Sequence, residues 1–293
     1  MKVNPSTTLR IDSERSRTVN PSTTLRIDSE RSRTVNVLGV NIDDISIDQT
    51  VKKVEGWLKG KDKHYIVTPN PEIVVMAQKD KELKNIINNA DLAIPDGIGL
   101  KLSGDIVCYT PGVDLMERLI LMAEEKGFTV GLLGGREGVA EKAAKRLKGK
   151  YPKLRISFAE NGGELDQQGN VIARRSIHRP TKQSHLIKIA TLPEFTPSVV
   201  EGVARNDKEV DLLFVAFGPP KQEKWIRKNL NKLNVKVAMG VGGAFDYLSG
   251  KIPRAPKWIR RLGLEWIFRL IIQPWRIKRQ LMLLKYIWLL TKR

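Results

Sequence analysis

The sequence predicts an α/β protein: a Rossmann-like, mostly parallel sheet with helices on both faces, followed by a C-terminal amphipathic helical appendage. Three observations predict it. Short apolar runs alternate with segments of helical period, the pattern of a parallel sheet covered by helices. Residues 210–217 (VDLLFVAF) form a nearly continuous apolar run, typical of a strand buried on both faces. The last 43 residues, 251–293, hold 12 basic residues and 1 acidic residue among large apolar side chains.

Strands and helices follow one another in a regular order along the body. Four of the strands end in loops rich in Gly, Pro, Asn and Asp. Ligands of open α/β sheets bind outside the carboxyl ends of the strands, so these loops form the predicted site. The predicted strands are residues 64–67, 92–94, 129–133, 154–158, 210–217 and 235–239, and the predicted helices are 72–89, 98–102, 113–126, one that ends at 147, and one that follows 218–223 and ends at 233.

Two segments depart from this pattern. Residues 3–18 (VNPSTTLRIDSERSRT) recur unchanged at 19–34, and the unit has too few apolar residues for a stacked repeat fold. We expect residues 1–36 to be disordered. Residues 171–206 contain three prolines and no clear period, so we expect a disordered surface insertion within an α/β domain of residues 37–250. Residues 251–293 form the predicted appendage.

Charge and cysteine content restrict the function. The 293 residues have a formal net charge of +19, but residues 37–170 contain 19 basic and 20 acidic residues. A nucleic-acid-binding body would spread its basic residues more evenly, so nucleic acid is not an expected partner. Cys108 is the only cysteine, which excludes an intrachain disulfide and a four-thiolate zinc site. No apolar run reaches the ~18 residues of a membrane-spanning helix and no signal peptide is recognisable, so we expect a cytoplasmic protein.

The appendage has the composition of a segment that lies on a membrane. Trp and Leu side chains are interleaved with Arg and Lys, and Pro274 is expected to end one helix before a second at residues 277–290. Such helices suit the surface of an anionic membrane. Two alternatives stay open. In the first, the segment is a helix that packs on the domain and exposes a solvated basic face. In the second, it is a nucleic-acid-binding arm, which its large aliphatic side chains disfavour.

The strand-end loops contain groups suited to catalysis or phosphate binding. Asp96 is placed either to act as a general base, or to form an Asx-turn or cap the helix that starts at residue 98, and local sequence alone favours the cap. The loop at 240–243 (GVGG) lets backbone N–H groups approach a phosphate, although such loops also serve as turns. It is neither a GxGxxG nor a Walker loop, so dinucleotide and ATP binding are not indicated. Lys221 and Gln222 are placed either to bind a diphosphate and a sugar or simply to begin a helix.

Seven motifs, in order, resemble those of the WecG/TagA/CpsF glycosyltransferases. They cover about residues 37–170 and 207–285. The resemblance implies a Rossmann-like α/β body with a helical appendage that meets the membrane and completes the site, with no cofactor and no metal requirement. The motifs are TPNPEIVVMAQKD (68–80), IPDGIG (94–99), GVDLM (112–116), LLGG (132–135), FGPPKQEKWI (217–226), GVGGAFDYLSGKIPRAPKW (240–258) and LGLEWIFRLIIQPWR (262–276).

The resemblance also implies an activity. Such enzymes transfer an N-acetylmannosamine-type sugar from a UDP donor to undecaprenyl-diphosphate-linked N-acetylglucosamine at the inner face of the cytoplasmic membrane. They build the linkage unit of wall teichoic acid or part of a surface polysaccharide. The implied partners are therefore a UDP-sugar, a polyprenyl-diphosphate acceptor and the inner leaflet. Self-association into a homo-oligomer is compatible with the sequence.

The resemblance assigns roles to individual residues. Asp96 of the PDG motif would be the catalytic base that deprotonates the acceptor hydroxyl for direct, inverting displacement of UDP. Thr68 and Asn70 would line the sugar pocket. Guanidinium groups suit phosphate oxygens, which supports a role for the appendage arginines. Gln222 would contact the donor, and Gly242 and Gly243 would lie near the nucleotide. The diphosphates would be held by three arginines, Arg269, Arg276 and Arg279.

The stretch before residue 112 departs from the family pattern. Family members usually carry an Arg-Val pair there and a longer connection after the PDG motif, whereas this chain reads GDIVCYTPGVDLM, with Tyr109 and Thr110. One substrate contact is therefore expected to be lost or rerouted. This departure and the insertion motivate a second hypothesis, a catalytically inactive membrane scaffold.

Overall fold

The computed structural model describes residues 33–136, 138–172 and 210–292. A six-stranded sheet lies at its centre, with all neighbouring strands parallel and the order β4-β3-β10-β9-β5-β6. The predicted fold class is confirmed. The strands of this sheet are β3 (His64–Val67), β4 (Leu92–Ala93), β5 (Thr129–Gly134), β6 (Arg155–Glu160), β9 (Val210–Ala216) and β10 (Val235–Gly240).

Helices cover both faces of the sheet and bury two apolar cores. One core lies under α2, α3 and α6, and the other lies under α1, α4, α5 and α7. Four consecutive residues of β9, 212–215, have no exposed surface, as the apolar run predicted. The helices are α1 (Ile47–Leu58), α2 (Pro71–Ala77), α3 (Lys81–Asn88), α4 (Gly112–Lys126), α5 (Val139–Lys150), α6 (Lys221–Asn229) and α7 (Ala244–Leu248).

Two antiparallel pairs flank the sheet. β1 (Arg33–Val37) and β2 (Val40–Asp44) form a hairpin, and β7 (Glu164–Leu165) pairs with β8 (Val171–Ile172). The predicted boundary at residue 36 therefore falls inside β1, and the first two residues of the predicted insertion belong to β8. The remaining parts of both segments, residues 1–32 and 173–206, lie outside the described residues.

The single helix predicted for residues 72–89 is wrong. The chain forms two helices there, because Asp80 starts a new one: its side chain accepts the backbone N–H of Leu83 at 2.9 Å. Apolar residues keep their helical spacing across the break, so the sequence pattern did not reveal the cap. The β1–β2 hairpin and α1 were not predicted, although Val35, Val37 and Ile42 of the hairpin are buried.

The appendage consists of α8 (Lys257–Arg261), α9 (Glu265–Ile272), a 3-10 turn (Pro274–Arg276) and α10 (Ile277–Thr291). The predicted break at Pro274 is confirmed. The ring of Tyr286 in α10 is fully buried against the body, so this helix packs on the domain. Trp275 in the 3-10 turn and Leu284 in α10, by contrast, are 68% and 63% exposed. The appendage thus packs with one face and presents an apolar face outward.

Candidate active site

A cavity of about 920 Å³ lies at the carboxyl ends of β3, β9 and β10, beside the start of α4. The appendage helices α9 and α10 form its opposite wall. Convergence of the strand-end loops is what a parallel sheet imposes. All ten residues that the sequence singled out line this cavity: Thr68, Asn70, Asp96, Lys221, Gln222, Gly242, Gly243, Arg269, Arg276 and Arg279. Their individual roles stay predictions.

Asp96 lies in the loop after β4, in the cavity wall. Its backbone N–H donates to the Pro69 carbonyl at 2.8 Å, and the backbone N–H of Gly112, the first residue of α4, donates to its Oδ1 at 3.1 Å. The 3-10 helix at Ile98–Ser103 has no side-chain cap. The reading of Asp96 as the cap of that helix is therefore wrong, because its carboxylate holds the start of α4 instead.

The environment of Asp96 makes its carboxylate more basic than usual. Burial raises the pKa of this carboxyl from 3.8 to about 6. The N–H of Gly112 and the charge of Arg269 lower the pKa, while the negative charges of Glu265 and Asp114 raise it. At pH 7 the group is mainly ionised, and it can take a proton from a hydroxyl group that lies within hydrogen-bond reach.

Thr68 and Asn70 follow β3 and face the same cavity. The Thr68 hydroxyl donates to the Gly240 carbonyl at 3.2 Å and so ties the end of β3 to the end of β10. Asn70 is the N-cap of α2, because its Oδ1 accepts the backbone N–H of Ile73 at 3.0 Å. Both side chains therefore already shape the cavity wall. A contact of either residue with a sugar stays a prediction.

Gln222 joins two loops. Its Oε1 accepts the backbone N–H of Gly218 at 3.1 Å and that of Gly242 at 2.9 Å, and the side chain is almost fully buried. The amide group thus ties the loop after β9 to the loop after β10. Its predicted contact with the donor stays a prediction. The geometry shows a group that holds the two loops at a fixed separation.

Glu223 orients this amide and was missed by sequence reasoning. Its Oε1 accepts the Nε2–H of Gln222 at 2.8 Å, which leaves the Gln222 Oε1 pointing at the loops. Glu223 is 1% exposed, and its Oε2 has no hydrogen-bond partner among the described residues. Burial raises the pKa of this carboxyl to about 7, although its bond to Gln222 opposes the rise. The sequence feature that could have identified Glu223 is its position directly after Gln222 in the PKQE motif.

Lys221 and the GVGG loop close the sides of the cavity. The Lys221 ammonium group donates to the Leu165 carbonyl of β7. A side chain at Gly243 would come within 2.5 Å of the Arg269 guanidinium group. The loop therefore lies close against the appendage, and a larger residue at position 243 would require the Arg269 side chain to move.

The three appendage arginines converge on the cavity with unequal partners. Arg279 forms two bonds to the Glu72 carboxylate, at 2.7 and 2.8 Å. Arg269 stacks on the Tyr247 ring, 4.7 Å from its centre, and lies 3.5 Å from a carboxylate oxygen of Asp246.

Arg276 pairs with no carboxylate in the described part of the chain. Its Nη1 donates to Gln273 at 3.4 Å, and its buried Nε has no partner there. Burial and the charges of Arg269 and Arg279 lower the pKa of Arg276 to about 10. A cluster of guanidinium groups with an excess of positive charge is suited to an anionic ligand such as a diphosphate.

Comparisons with known proteins show the family of this chain. Residues 35–293 match the profile of the Glycosyl transferase WecG/TagA/CpsF family. This chain belongs to that family. A Bacillus subtilis (strain 168) relative, named N-acetylglucosaminyldiphosphoundecaprenol N-acetyl-beta-D-mannosaminyltransferase, is 31% identical over 77% of this chain and 81% of its own length. Relatives of the same name from Staphylococcus aureus strains MRSA252 and NCTC 8325 are 31% and 32% identical, over 83% of this chain and 86% of theirs.

The family identification made from the motifs is thereby confirmed, and this WecG/TagA/CpsF protein is a glycosyltransferase. In residues 33–136, 138–172 and 210–292, no group of three or more His, Cys, Asp and Glu side chains could hold a metal ion. Within those same ranges, no helix has the length and apolar character required to cross a bilayer.

Arg254 ties the appendage of this family member to its body and was not singled out as a site residue. Its Nη2 lies 2.6 Å from Asp114 on α4, and its Nε donates to Glu265 on α9 at 3.3 Å. Burial opposes the charge, but Asp114 and Glu265 keep the pKa of Arg254 above its ordinary value. The sequence feature that could have identified Arg254 is its position in the motif that joins the body to the appendage.

Tyr109 belongs to the stretch that we expected to differ from the family pattern, and it lines the cavity. Burial raises the pKa of its hydroxyl, and the negative charges of Asp96, Glu265 and Asp114 raise it further. The hydroxyl is therefore neutral at all ordinary pH values and is a hydrogen-bond donor. Tyr109 therefore places a neutral hydrogen-bond donor on this wall of the cavity.

Proposed function

We propose that this glycosyltransferase moves N-acetylmannosamine, or a closely related sugar, from a UDP donor to N-acetylglucosamine linked to a polyprenyl diphosphate. The relatives are named for transfer of N-acetylmannosamine to N-acetylglucosaminyldiphosphoundecaprenol. One observation carries the proposal. The basic carboxylate of Asp96 faces the same cavity as three guanidinium groups that have more positive charge than their described carboxylate partners balance.

The reaction requires one proton transfer and one displacement. The acceptor hydroxyl attacks the anomeric carbon of the donor sugar from the side opposite UDP, so the configuration inverts. Asp96 accepts the hydroxyl proton as the new C–O bond forms. The bond between the anomeric carbon and the UDP oxygen breaks, and its electron pair leaves with UDP. Arg269, Arg276 and Arg279 stabilise the charge on the diphosphates.

The loops fixed by Gln222 give this chemistry its geometry. A base contributes most when the reacting atoms are held at near-contact distance, and small displacements weaken it. The Gly218 and Gly242 loops are joined through Gln222, and the Gly243 position is pressed against Arg269. The donor-side loops and the appendage arginines therefore form connected parts of the wall of the cavity that Asp96 also lines.

We also propose that the enzyme works at the inner face of the cytoplasmic membrane as a peripheral protein. Residues 251–293 carry 12 basic residues against one acidic residue, and the outward apolar side chains of α9 and α10 accompany them. This combination binds anionic lipid surfaces. The product fits the assembly of wall teichoic acid or another surface polysaccharide.

A donor panel tests the substrate assignment. The purified full-length protein is incubated with a short-chain polyprenyl-diphosphate-N-acetylglucosamine, EDTA and one of several UDP-sugars, and the lipid product is analysed by mass spectrometry and NMR. We expect a disaccharide with UDP-N-acetylmannosamine, in which the new linkage has inverted configuration. A retained configuration would contradict direct displacement. The absence of product with every donor would favour the inactive scaffold.

A further inference from the structure

We infer that the polyprenyl chain of the acceptor leaves the cavity through an apolar opening lined by Ile98, Leu102, Trp266 and Leu283, called here the prenyl exit. The inference rests on the proposed function, because it gives a place to the lipid part of the same acceptor. All four side chains contribute to the cavity lining. Two belong to the 3-10 helix Ile98–Ser103 of the body, and two belong to the appendage.

The body and the appendage approach each other closely at two glycines beside the prenyl exit. A side chain at Gly99 would come within 3.0 Å of the Leu283 Cδ1 methyl group. A side chain at Gly263, between α8 and α9, would come within 3.1 Å of the Ile98 Cβ atom. The absence of side chains at these two glycines lets the body helix and the appendage meet. The prenyl exit is therefore placed where the body helix and the appendage come together, with apolar side chains contributed by both.

The cavity-facing side of α10 changes from charged to apolar along the helix. Arg279, Gln280 and Leu283 of α10, and Arg276 in the turn just before it, all line the cavity and follow the spacing of one helix face. Seven residues separate Arg276 from Leu283, a distance of about 10 Å along a helix. A ligand with an anionic head and an apolar tail matches this order. A diphosphate at Arg276 and Arg279 would direct its prenyl chain past Leu283.

Exposure places Leu102 at the rim of the cavity. Leu102 is 58% exposed although it lines the cavity, and Trp266 is 36% exposed. Both residues thus contact the cavity and the surroundings of the protein. The outward residues Ile271 and Leu284, on the same two helices as Trp266 and Leu283, are 72% and 63% exposed. A prenyl chain that passes Leu102 therefore emerges beside the apolar face of the appendage.

Binding measurements without a membrane and without sugar test the prenyl exit. Isothermal titration calorimetry compares farnesyl diphosphate with methyl diphosphate on the full-length protein in detergent-free buffer. The two ligands share the diphosphate and differ only in hydrocarbon. We expect farnesyl diphosphate to bind at least tenfold more tightly, which corresponds to the burial of about two methylene groups.

Two matched variants locate the effect. Leu102→Asn should remove most of the farnesyl preference and leave the affinity for methyl diphosphate unchanged. Val107→Asn is the control, because Val107 is 54% exposed in the same region but does not line the cavity, and it should keep the full preference. Equal affinities of the wild type for both ligands, or an equal loss in both variants, would overturn the inference. These ratios do not depend on sugar transfer, so a failed transfer assay would count only against the proposed function.

Discussion

The Asp96 carboxyl has the property that the proposed reaction needs at the scale of one residue. Its pKa of about 6 means that it is protonated in acid and ionised at neutral pH. A general base works only when ionised, so we expect kcat/KM to rise with pH, to reach half its maximum near pH 6 and to level off above about pH 7. The measurement is the initial rate at low donor concentration between pH 5 and pH 8.

A control separates Asp96 from the second buried carboxyl. The pKa of Glu223 is about 7, so its titration could produce a similar profile. The rise should persist in Glu223→Gln, in which the neutral amide can still accept the Gln222 Nε2–H. Loss of the rise in that variant, or a flat profile in the wild type, would contradict the assignment of the base to Asp96.

Glu223 should make the folded protein less stable as pH rises. Between pH 4.5, its ordinary pKa, and about 7, the folded protein holds a proton that the unfolded chain has lost. The free energy of unfolding therefore falls with increasing pH in this range. Compared with Glu223→Gln, the wild type should lose at most ~3 kcal/mol between pH 4.5 and pH 8. Chemical denaturation of both proteins measures this, and a constant difference would show that the carboxyl titrates normally.

Sequence patterns located the site residues but not their bonding. The carboxyl ends of parallel strands meet at one edge of a sheet, so Asp96, Gln222 and Gly242 could be placed together from the order of the elements. Whether the Gln222 amide faces a ligand or two loops depends on distances between strands that are far apart in sequence. The orienting role of Glu223 was hidden for the same reason, since its burial follows only from the packed fold.

The link between α4 and α9 is the feature to test at the scale of elements. Arg254→Gln should remove the charge that pairs with both Asp114 and Glu265, leave Asp114 with only the longer 3.5 Å contact to Arg260 among the described residues, and loosen the appendage. We expect destabilisation on the order of 1–3 kcal/mol, since the pair is only partly buried, and a lower kcat because the appendage arginines lose their position. Limited trypsin digestion should cleave the appendage faster in this variant.

Arg261→Gln is the matched control for the appendage link. Arg261 is exposed on α8 and makes no ion pair with any residue that the structure describes. Trypsin should cleave the Arg261→Gln variant at the wild-type rate, apart from the one lost cleavage site, and the variant should keep its activity. Equal behaviour of the two variants would mean that Arg254 does not position the appendage.

Elements with a strong local pattern were predicted well, and those that depend on partners were not. The buried strand at 210–217 and the break at Pro274 follow from local rules on apolar runs and proline. The break between α2 and α3 depends on one cap, Asp80, inside a continuous apolar period. The β1–β2 hairpin was missed because its first strand, β1, begins at the end of a segment whose composition predicts disorder.

The separation of charge between body and appendage matters at the scale of the whole molecule. Ile271, Trp275 and Leu284 are each more than 60% exposed on a segment with a large excess of basic residues. Replacing all three with Asn should abolish co-flotation with vesicles that contain anionic lipid, because the buried apolar area is lost. The wild type should float, and less so in high salt. Unchanged flotation of the triple variant would contradict membrane contact through this face.

The central claim is that Asp96 is the general base for sugar transfer to a lipid-linked acceptor. The most direct measurement compares wild type with Asp96→Asn in one assay, with UDP-N-acetylmannosamine and polyprenyl-diphosphate-N-acetylglucosamine, and quantifies the lipid-linked disaccharide by mass spectrometry. The variant can keep the bond from Gly112, so it should fold. We predict a wild-type product and a loss of about 10²–10⁴-fold in rate for Asp96→Asn. A variant as active as the wild type would contradict the account.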